Sequence, residues 1–180
     1  MSKFPILGLS AIFSLLACGS VHAGHFVADT TTSGMHIQLH VLPAEPFFTK
    51  DQVAAGNAKE GMLILGGAKP LQPDAETKPN SHLVVHVFNA LTEKAITNAK
   101  VKMSFQALDE KGEQFGDPVD VPIVMMQAIG KGEQSTHYGN NVVLPNGPLT
   151  ILLIVNGKKL RLKVTIPYES GTPMNEMHMH

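Results

Sequence analysis

The 180-residue sequence contains a single cysteine, Cys18, and no tryptophan. Because Cys18 lies in an apolar N-terminal segment, the remainder of the chain cannot form a disulfide framework or a thiolate metal site. Basic and acidic residues nearly balance, at 14 and 15, and no basic stripe suggests nucleic acid as a partner. Aromatic residues, 6% of the chain, are few for a sugar-binding or protein-binding surface.

The sequence also has none of the short motifs that mark common enzyme classes. It contains no Gly-x-Ser-x-Gly elbow, no His-Glu-x-x-His helix and no phosphate-binding loop. Neither Ser104 nor Ser135 has an evident base and orienting acid around it. Blue-copper electron transfer requires a cysteine ligand, which the chain lacks after Cys18. We therefore expect a protein that is not an enzyme.

The one long apolar run, from Phe4 to Ala17, is typical of a secretory signal. It follows Lys3 and precedes Val21-His22-Ala23, which fits a signal-peptidase site. The run is too short for a transmembrane helix, which needs about 20 apolar residues. We therefore expect cleavage after Ala23 and a periplasmic location. Leu15-Leu16-Ala17-Cys18 is a looser match to a lipoprotein processing site, and lipidation of Cys18 is the alternative.

The residues after the signal favour a single all-β domain over 24–167, followed by a flexible tail over 168–180. Residues 35–42 and 100–107 alternate between apolar and polar residues with the period of a strand, and 82–88 is rich in β-branched and aromatic residues, as in a more buried strand. Further strands are expected over 119–126, 140–144, 149–155 and 160–166. Asn156-Gly157 is a strong hairpin signal. About seven strands with regular turns predict an immunoglobulin-like two-sheet antiparallel sandwich.

Other segments of this domain indicate connections. A short helix is expected around 49–56, where Thr49 would cap the N-terminus. Residues 68–81 hold three prolines and are expected to form a surface loop, and 109–113 a turn. Pro118 and Pro122 predict an edge strand over 119–126.

Histidine and methionine are abundant, with nine of each, and they indicate where chemistry could occur. Residues i and i+4 on one strand lie about 13 Å apart, whereas metal–imidazole bonds are about 2 Å long. Neither His36/His40 nor His82/His86 can therefore chelate one ion alone. A mononuclear site must combine several strands or loops, and the role of His36/His40 stays open.

The favoured combination brings together a thioether, from Met125 or Met126, and two or three of the imidazoles of His82, His86 and His137. The segment from His137 could lie as a loop over neighbouring strands and complete the site. Because consecutive strand residues point oppositely, only one of the two methionines should face it. Mixed thioether and imidazole ligation suits copper, as Cu(I) or Cu(II). The competing interpretation is a buried hydrogen-bonded histidine and methionines that fill the core.

The tail is a separate metal-binding candidate. Its last eight residues include Met177, His178, Met179 and His180. Such a segment would not fold alone, yet His-rich tracts of this kind capture soft or borderline metal ions. Gly24-His25 at the expected mature N-terminus would add a weak Cu(II) binder.

Four segments between Ser81 and Ile166 carry a family resemblance: the His82-Leu-Val-Val-His86 strand with Ala99 to Met103, the Met125-Met126 pair, His137-Tyr-Gly-Asn-Asn-Val, and Leu144-Pro-Asn-Gly-Pro-Leu-Thr-Ile. They resemble periplasmic metal-handling immunoglobulin-fold proteins. One such group is the copper-bearing accessory proteins of bacterial iron uptake, and the other is the FixH/YtkA-like domain of copper delivery. The resemblance implies His137, one of the two methionines, and His82 or His86 as ligands.

The sequence thus predicts a periplasmic, non-catalytic protein that stores or delivers a metal ion, most simply copper. Its partners would be the ion and a membrane transporter or copper-acceptor protein, and an edge strand leaves a homodimer open. The alternative is an accessory or interaction module of a periplasmic or membrane metal (iron) transport system, without a tight metal site of its own.

Overall fold

The computed structural model describes residues 25–166, which form two β-sheets packed face to face. The strands are β1 (His25–Thr32), β2 (Met35–Pro43), β3 (Phe47–Phe48), β4 (Met62–Gly67), β5 (Ser81–Asn89), β6 (Val101–Leu108), β7 (Gln114–Val121), β8 (Val124–Ala128), β9 (His137–Val142), β10 (Gly147–Val155) and β11 (Lys158–Ile166). One helix, α1 (Lys50–Ala54), and a 3₁₀ turn (Glu133–Ser135) complete the described elements. The predicted all-β sandwich is confirmed.

The larger sheet has seven strands in the order β1-β2-β5-β9-β8-β4-β3, and the smaller has four in the order β11-β10-β6-β7. All described neighbours are antiparallel except β3 and β4. The main core lies between the two sheets and is formed by the side chains on the inner face of each sheet. In β2, for example, Met35, Ile37, Leu39 and Val41 are buried, while the residues between them are half-buried. This alternation follows from the two-residue period of a strand.

Several local predictions are confirmed. Thr49 caps α1: its hydroxyl accepts from the Gln52 backbone, and the Gln52 side chain accepts from the Thr49 backbone. Asn156 and Gly157 join β10 to β11 with φ angles of 49° and 83°, both in the left-handed region that a type I′ turn requires.

Other local predictions are wrong, and the number of strands is larger than expected. The expected strand over 119–126 is two strands: β7, at the edge of the smaller sheet, and β8, inside the larger one. The chain crosses between the sheets at Pro122, which ends one ladder and leaves Val124 free to begin another. The segment from His137 is strand β9, not a loop, because it pairs on both sides with β5 and β8.

The side of the larger sheet that faces away from the main core carries most of the described histidines, and we call it the histidine face. It presents alternate residues of β2, β5 and β9, including His40, His82 and His137. Part of this face is itself covered, because a second apolar cluster forms on it from Phe47, Met62, Val84, Val124 and Met126. On this face His82, His137 and Met126 are buried, whereas His40 and His86 are half-buried.

No helix among the described residues is long and apolar enough to cross a membrane. The predicted signal segment and the tail lie outside the described residues.

Candidate metal centre

Four histidine rings lie in succession on the histidine face, in the order His82, His137, His86, His40, and we call them the histidine row. The ring centroids are 5.7 Å apart for His82 and His137, 4.8 Å for His137 and His86, and 5.3 Å for His86 and His40. Strands β2, β5 and β9 supply them. The strand order places these three strands side by side, so residues distant in sequence become lateral neighbours.

Gly139 lies where β9 comes into close contact with β5. It lies between His137 and Asn141 on the same side of β9, and Asn141 is the ladder partner of His82. A Cβ atom at position 139 would lie 2.8 Å from the Val84 Cα and 2.9 Å from its Cγ1. Glycine at this position therefore permits close packing of β9 against β5, the strands that carry His137 and His82.

The hydrogen bonds of Asn141 determine the protonation of His82. The Asn141 Nδ2 donates to the carbonyl oxygens of Glu45 and Leu71, at 2.7 Å each, so its Oδ1 must be the acceptor. That oxygen accepts from the Glu45 backbone and lies 2.9 Å from the His82 Nδ1. The proton of neutral His82 is therefore on Nδ1, and its Nε2 presents a lone pair.

His137 carries its proton on the same ring nitrogen as His82. Its Nδ1 lies 2.7 Å from the backbone carbonyl oxygen of Ser135, which can only accept a hydrogen bond. The proton is again on Nδ1 and the lone pair on Nε2. His86 is held in a similar way by a hydrogen bond to the Thr136 backbone. Such second contacts orient imidazoles in metal sites.

The Nε2 atoms of His82 and His137 are both buried, and neither has a hydrogen-bond partner among the described residues. The two residues are 0% and 3% exposed. Because both atoms carry lone pairs, they cannot hydrogen-bond to each other. Leaving a buried acceptor unsatisfied costs roughly 1–3 kcal/mol, and such groups are rare in native proteins. Two adjacent ones call for a common partner, either an electron-pair acceptor or a hydrogen-bond donor such as water.

Met126 adds a thioether to the same place. It is the ladder partner of His137, and it is 0% exposed in the apolar cluster on the histidine face. Directly opposed residues of an antiparallel pair have Cβ atoms about 4.5–5.5 Å apart, so the Met126 side chain is within reach of the His137 ring. Met125 points to the other side of β8 and packs against the main core. The predicted alternation thus places Met126, not Met125, beside the histidines.

Burial keeps three of these rings neutral. Desolvation, with a smaller contribution from His137, lowers the pKa of His82 to about 3. Desolvation and the neighbouring histidines lower the pKa of His86 to about 3. For His137, desolvation lowers the pKa to about 4 despite the hydrogen bond to Ser135. Desolvation also lowers the pKa of His40. Neutral imidazole is the form that binds metal ions.

His36, on the same face, has a different environment. Its Nε2 lies 2.7 Å from an Asp29 carboxylate oxygen and its Nδ1 3.1 Å from one of Glu93. The hydrogen bonds to Glu93 and Asp29 raise the pKa of His36. Both ring nitrogens of His36 thus contact carboxylates. The pKa of His36 is raised, whereas the pKa values of the histidines in the row are lowered.

Within residues 25–166, no three His, Cys, Asp or Glu side chains are arranged to hold a single ion. The histidine row explains this, because His82 and His86 are four residues apart on one strand and His137 reaches toward each separately. A site here would combine two imidazoles with a thioether. Structural zinc sites require four ligands, whereas thioether and imidazole ligation favours Cu(I).

The structure brings four of the sequence-derived candidates to one face: His82, His86, Met126 and His137. Met125 is separated from them, and the tail residues Met177, His178, Met179 and His180 lie outside the described residues. Sequence reasoning missed two residues, His40 and Asn141. The alternation of β2 places His40 on the polar side, but its neighbour in the sheet could not be read from the sequence. Nothing in the sequence distinguishes Asn141 from an ordinary turn-prone asparagine.

Comparison of the chain with protein-family models, curated proteins and solved structures finds no match.

Proposed function

We propose that this protein is an exported, non-catalytic copper-binding protein that stores the ion or hands it on. The Nε2 atoms of His82 and His137, with the Met126 sulfur, form the resident site. The observation that carries the proposal is the pair of buried Nε2 lone pairs that have no hydrogen-bond partner within residues 25–166, each oriented by a hydrogen bond at the opposite nitrogen of its ring.

Ring geometry supports a shared ion. Metal–nitrogen bonds are about 2 Å long, so two imidazoles bound through Nε2 to one ion have centroids on the order of 5–6 Å apart. The centroids of His82 and His137 are 5.7 Å apart, with the ring planes at 89°. One thioether and two neutral imidazoles carry no charge, so an ion of low charge is favoured in this apolar layer. Cu(I) carries a single positive charge, and it also accepts soft thioether ligands. It therefore fits both the uncharged ligand set and the thioether of this site.

The test is a competitive Cu(I) titration of residues 24–180 in which Met174, Met177, His178, Met179 and His180 are replaced by serine. We call this protein the tail-substituted chain. We expect it to bind one ion tightly, and the His137→Gln variant to lose that binding. His36→Gln is the matched control, because it removes a histidine from the same face without touching the resident site, and it should bind as the parent does.

A buried water molecule could also satisfy both Nε2 atoms, since it would donate to each. The titration separates the two explanations. If the tail-substituted chain takes up no stoichiometric copper, the resident site is a hydrated polar pair. The protein would then be better described as an interaction module of a metal-transport system, in which any copper is bound by the tail.

A further inference from the structure

The histidine row continues beyond the resident site toward solvent. His82 and His137 are buried, whereas His86 and His40 are half-buried. The His40 ring lies 5.3 Å from that of His86 in an edge-to-face arrangement, and the His86 ring lies 4.8 Å from that of His137. The row thus runs from two buried imidazoles at the resident site to two half-buried ones.

The opposite end of the row is closed. The Phe47 ring lies 5.7 Å from the His82 ring, and Phe47 is only 2% exposed. On the side of Met126, Met62 and Val124 belong to the same buried apolar cluster. Within the row, the route from His82 and His137 toward solvent therefore runs through His86 and His40.

We propose that His86 and His40 form a second, outer copper position, through which the ion enters and leaves the resident site. The proposal rests on the copper-binding function proposed above. An ion bound at the outer position forms a bond to His137 before it releases His40, and then a bond to His82 before it releases His86. No step leaves the ion without an imidazole, and none requires a proton or a redox partner.

The two positions use different ligands, so both can be filled when copper is in excess. The resident ion uses His82, His137 and Met126, and the outer ion uses His86 and His40. The outer position has fewer ligands and more solvent, and it should bind more weakly. An acceptor protein would meet the ion at the outer position.

The test measures Cu(I) stoichiometry and loading rate with the tail-substituted chain. A coloured Cu(I)–chelator complex serves as donor, and transfer is followed by its loss of absorbance. The parent should take up one ion tightly and a second weakly. His40→Gln and His86→Gln should each remove the weak ion, leave the affinity for the tight ion unchanged, and slow its loading and release by the same severalfold factor. His36→Gln should change nothing.

Three outcomes would overturn the proposal, and they are distinguishable. Tight binding with unchanged rates and stoichiometry in His40→Gln refutes the outer position but leaves the resident site intact. Loss of the tight ion in His40→Gln makes His40 a ligand of the resident ion instead. No binding by the parent refutes the copper function and the outer position together. Thermal melting of each variant confirms that the domain is folded.

Discussion

At the scale of single residues, Asn141 determines what His82 can do. Its side chain ties β9 to the backbone of Glu45 and Leu71 and presents one oxygen to the His82 Nδ1. The asparagine thus acts on the proposed site through another side chain. It sets the tautomer that leaves the His82 Nε2 available.

Replacing Asn141 with alanine should therefore weaken Cu(I) binding by about 10–100-fold, the usual effect of removing a partner that orients a ligand. Asn80→Ala is the matched control, because Asn80 makes comparable hydrogen bonds to the Leu144 backbone and none to a histidine. Both variants should lose stability, and only Asn141→Ala should lose affinity. Competitive titration below the melting temperature measures this, and equal affinities in the two variants would contradict the orienting role.

At the scale of elements, β5 and β9, which carry His82 and His137, lie in close contact at Gly139. A Cβ atom there would meet the Val84 Cα at 2.8 Å, and it would also crowd the Leu83 carbonyl oxygen. The crowded atoms belong mainly to the backbone of β5, which cannot move aside as the end of a flexible side chain can.

Gly139→Ala should accordingly lower the free energy of unfolding by at least about 1–3 kcal/mol, the usual cost of overpacking, and it should weaken copper binding. Gly66→Ala is the control, because Gly66 also lies in a strand of this sheet and an added Cβ would meet nothing within 4 Å. Urea unfolding measures both. If Gly139→Ala were as stable as Gly66→Ala, the close approach would not be the reason for glycine here.

Some features of the strands and turns could be predicted from the sequence, and others could not. The alternation of β2 and the Asn156-Gly157 turn were predictable, because both depend on neighbouring residues alone. The crossing at Pro122 was not, because a proline that ends a strand does not specify which sheet the chain joins next. For the same reason, the sequence predicts a strand only from residue 140 and a loop at His137, whereas β9 begins at His137, because its pairing with β5 and β8 depends on long-range contacts.

At the scale of the whole molecule, burying neutral histidines makes stability depend on pH. In the unfolded chain these rings bind protons near their ordinary pKa of 6.5, whereas in the folded protein the pKa is about 3 for His82 and His86 and about 4 for His137. The unfolded state therefore holds more protons between pH 6.5 and about 4. Stability must fall as the pH falls through that window.

Each of the three histidines should contribute a loss of up to about 1.4 kcal/mol per pH unit below 6.5. Urea unfolding of the metal-free protein at pH 7, 6 and 5 measures the slope, and the slope should be smaller in His86→Gln. Stability that is unchanged from pH 7 to pH 5 would contradict burial of these rings in the neutral form.

The sequence by itself determined the all-β class, the polar and apolar sides of the main strands and the turn between β10 and β11, because these features depend on the two-residue period of a strand and on local backbone conformation. It also supplied the candidate ligands. Only the tertiary structure decided which of them meet. The order β2-β5-β9-β8 places His40, His86, His137 and Met126 side by side. His82 joins them through the contact of its ring with that of His137. Lateral contacts of this kind are set by strand pairing between distant segments, which no local pattern encodes.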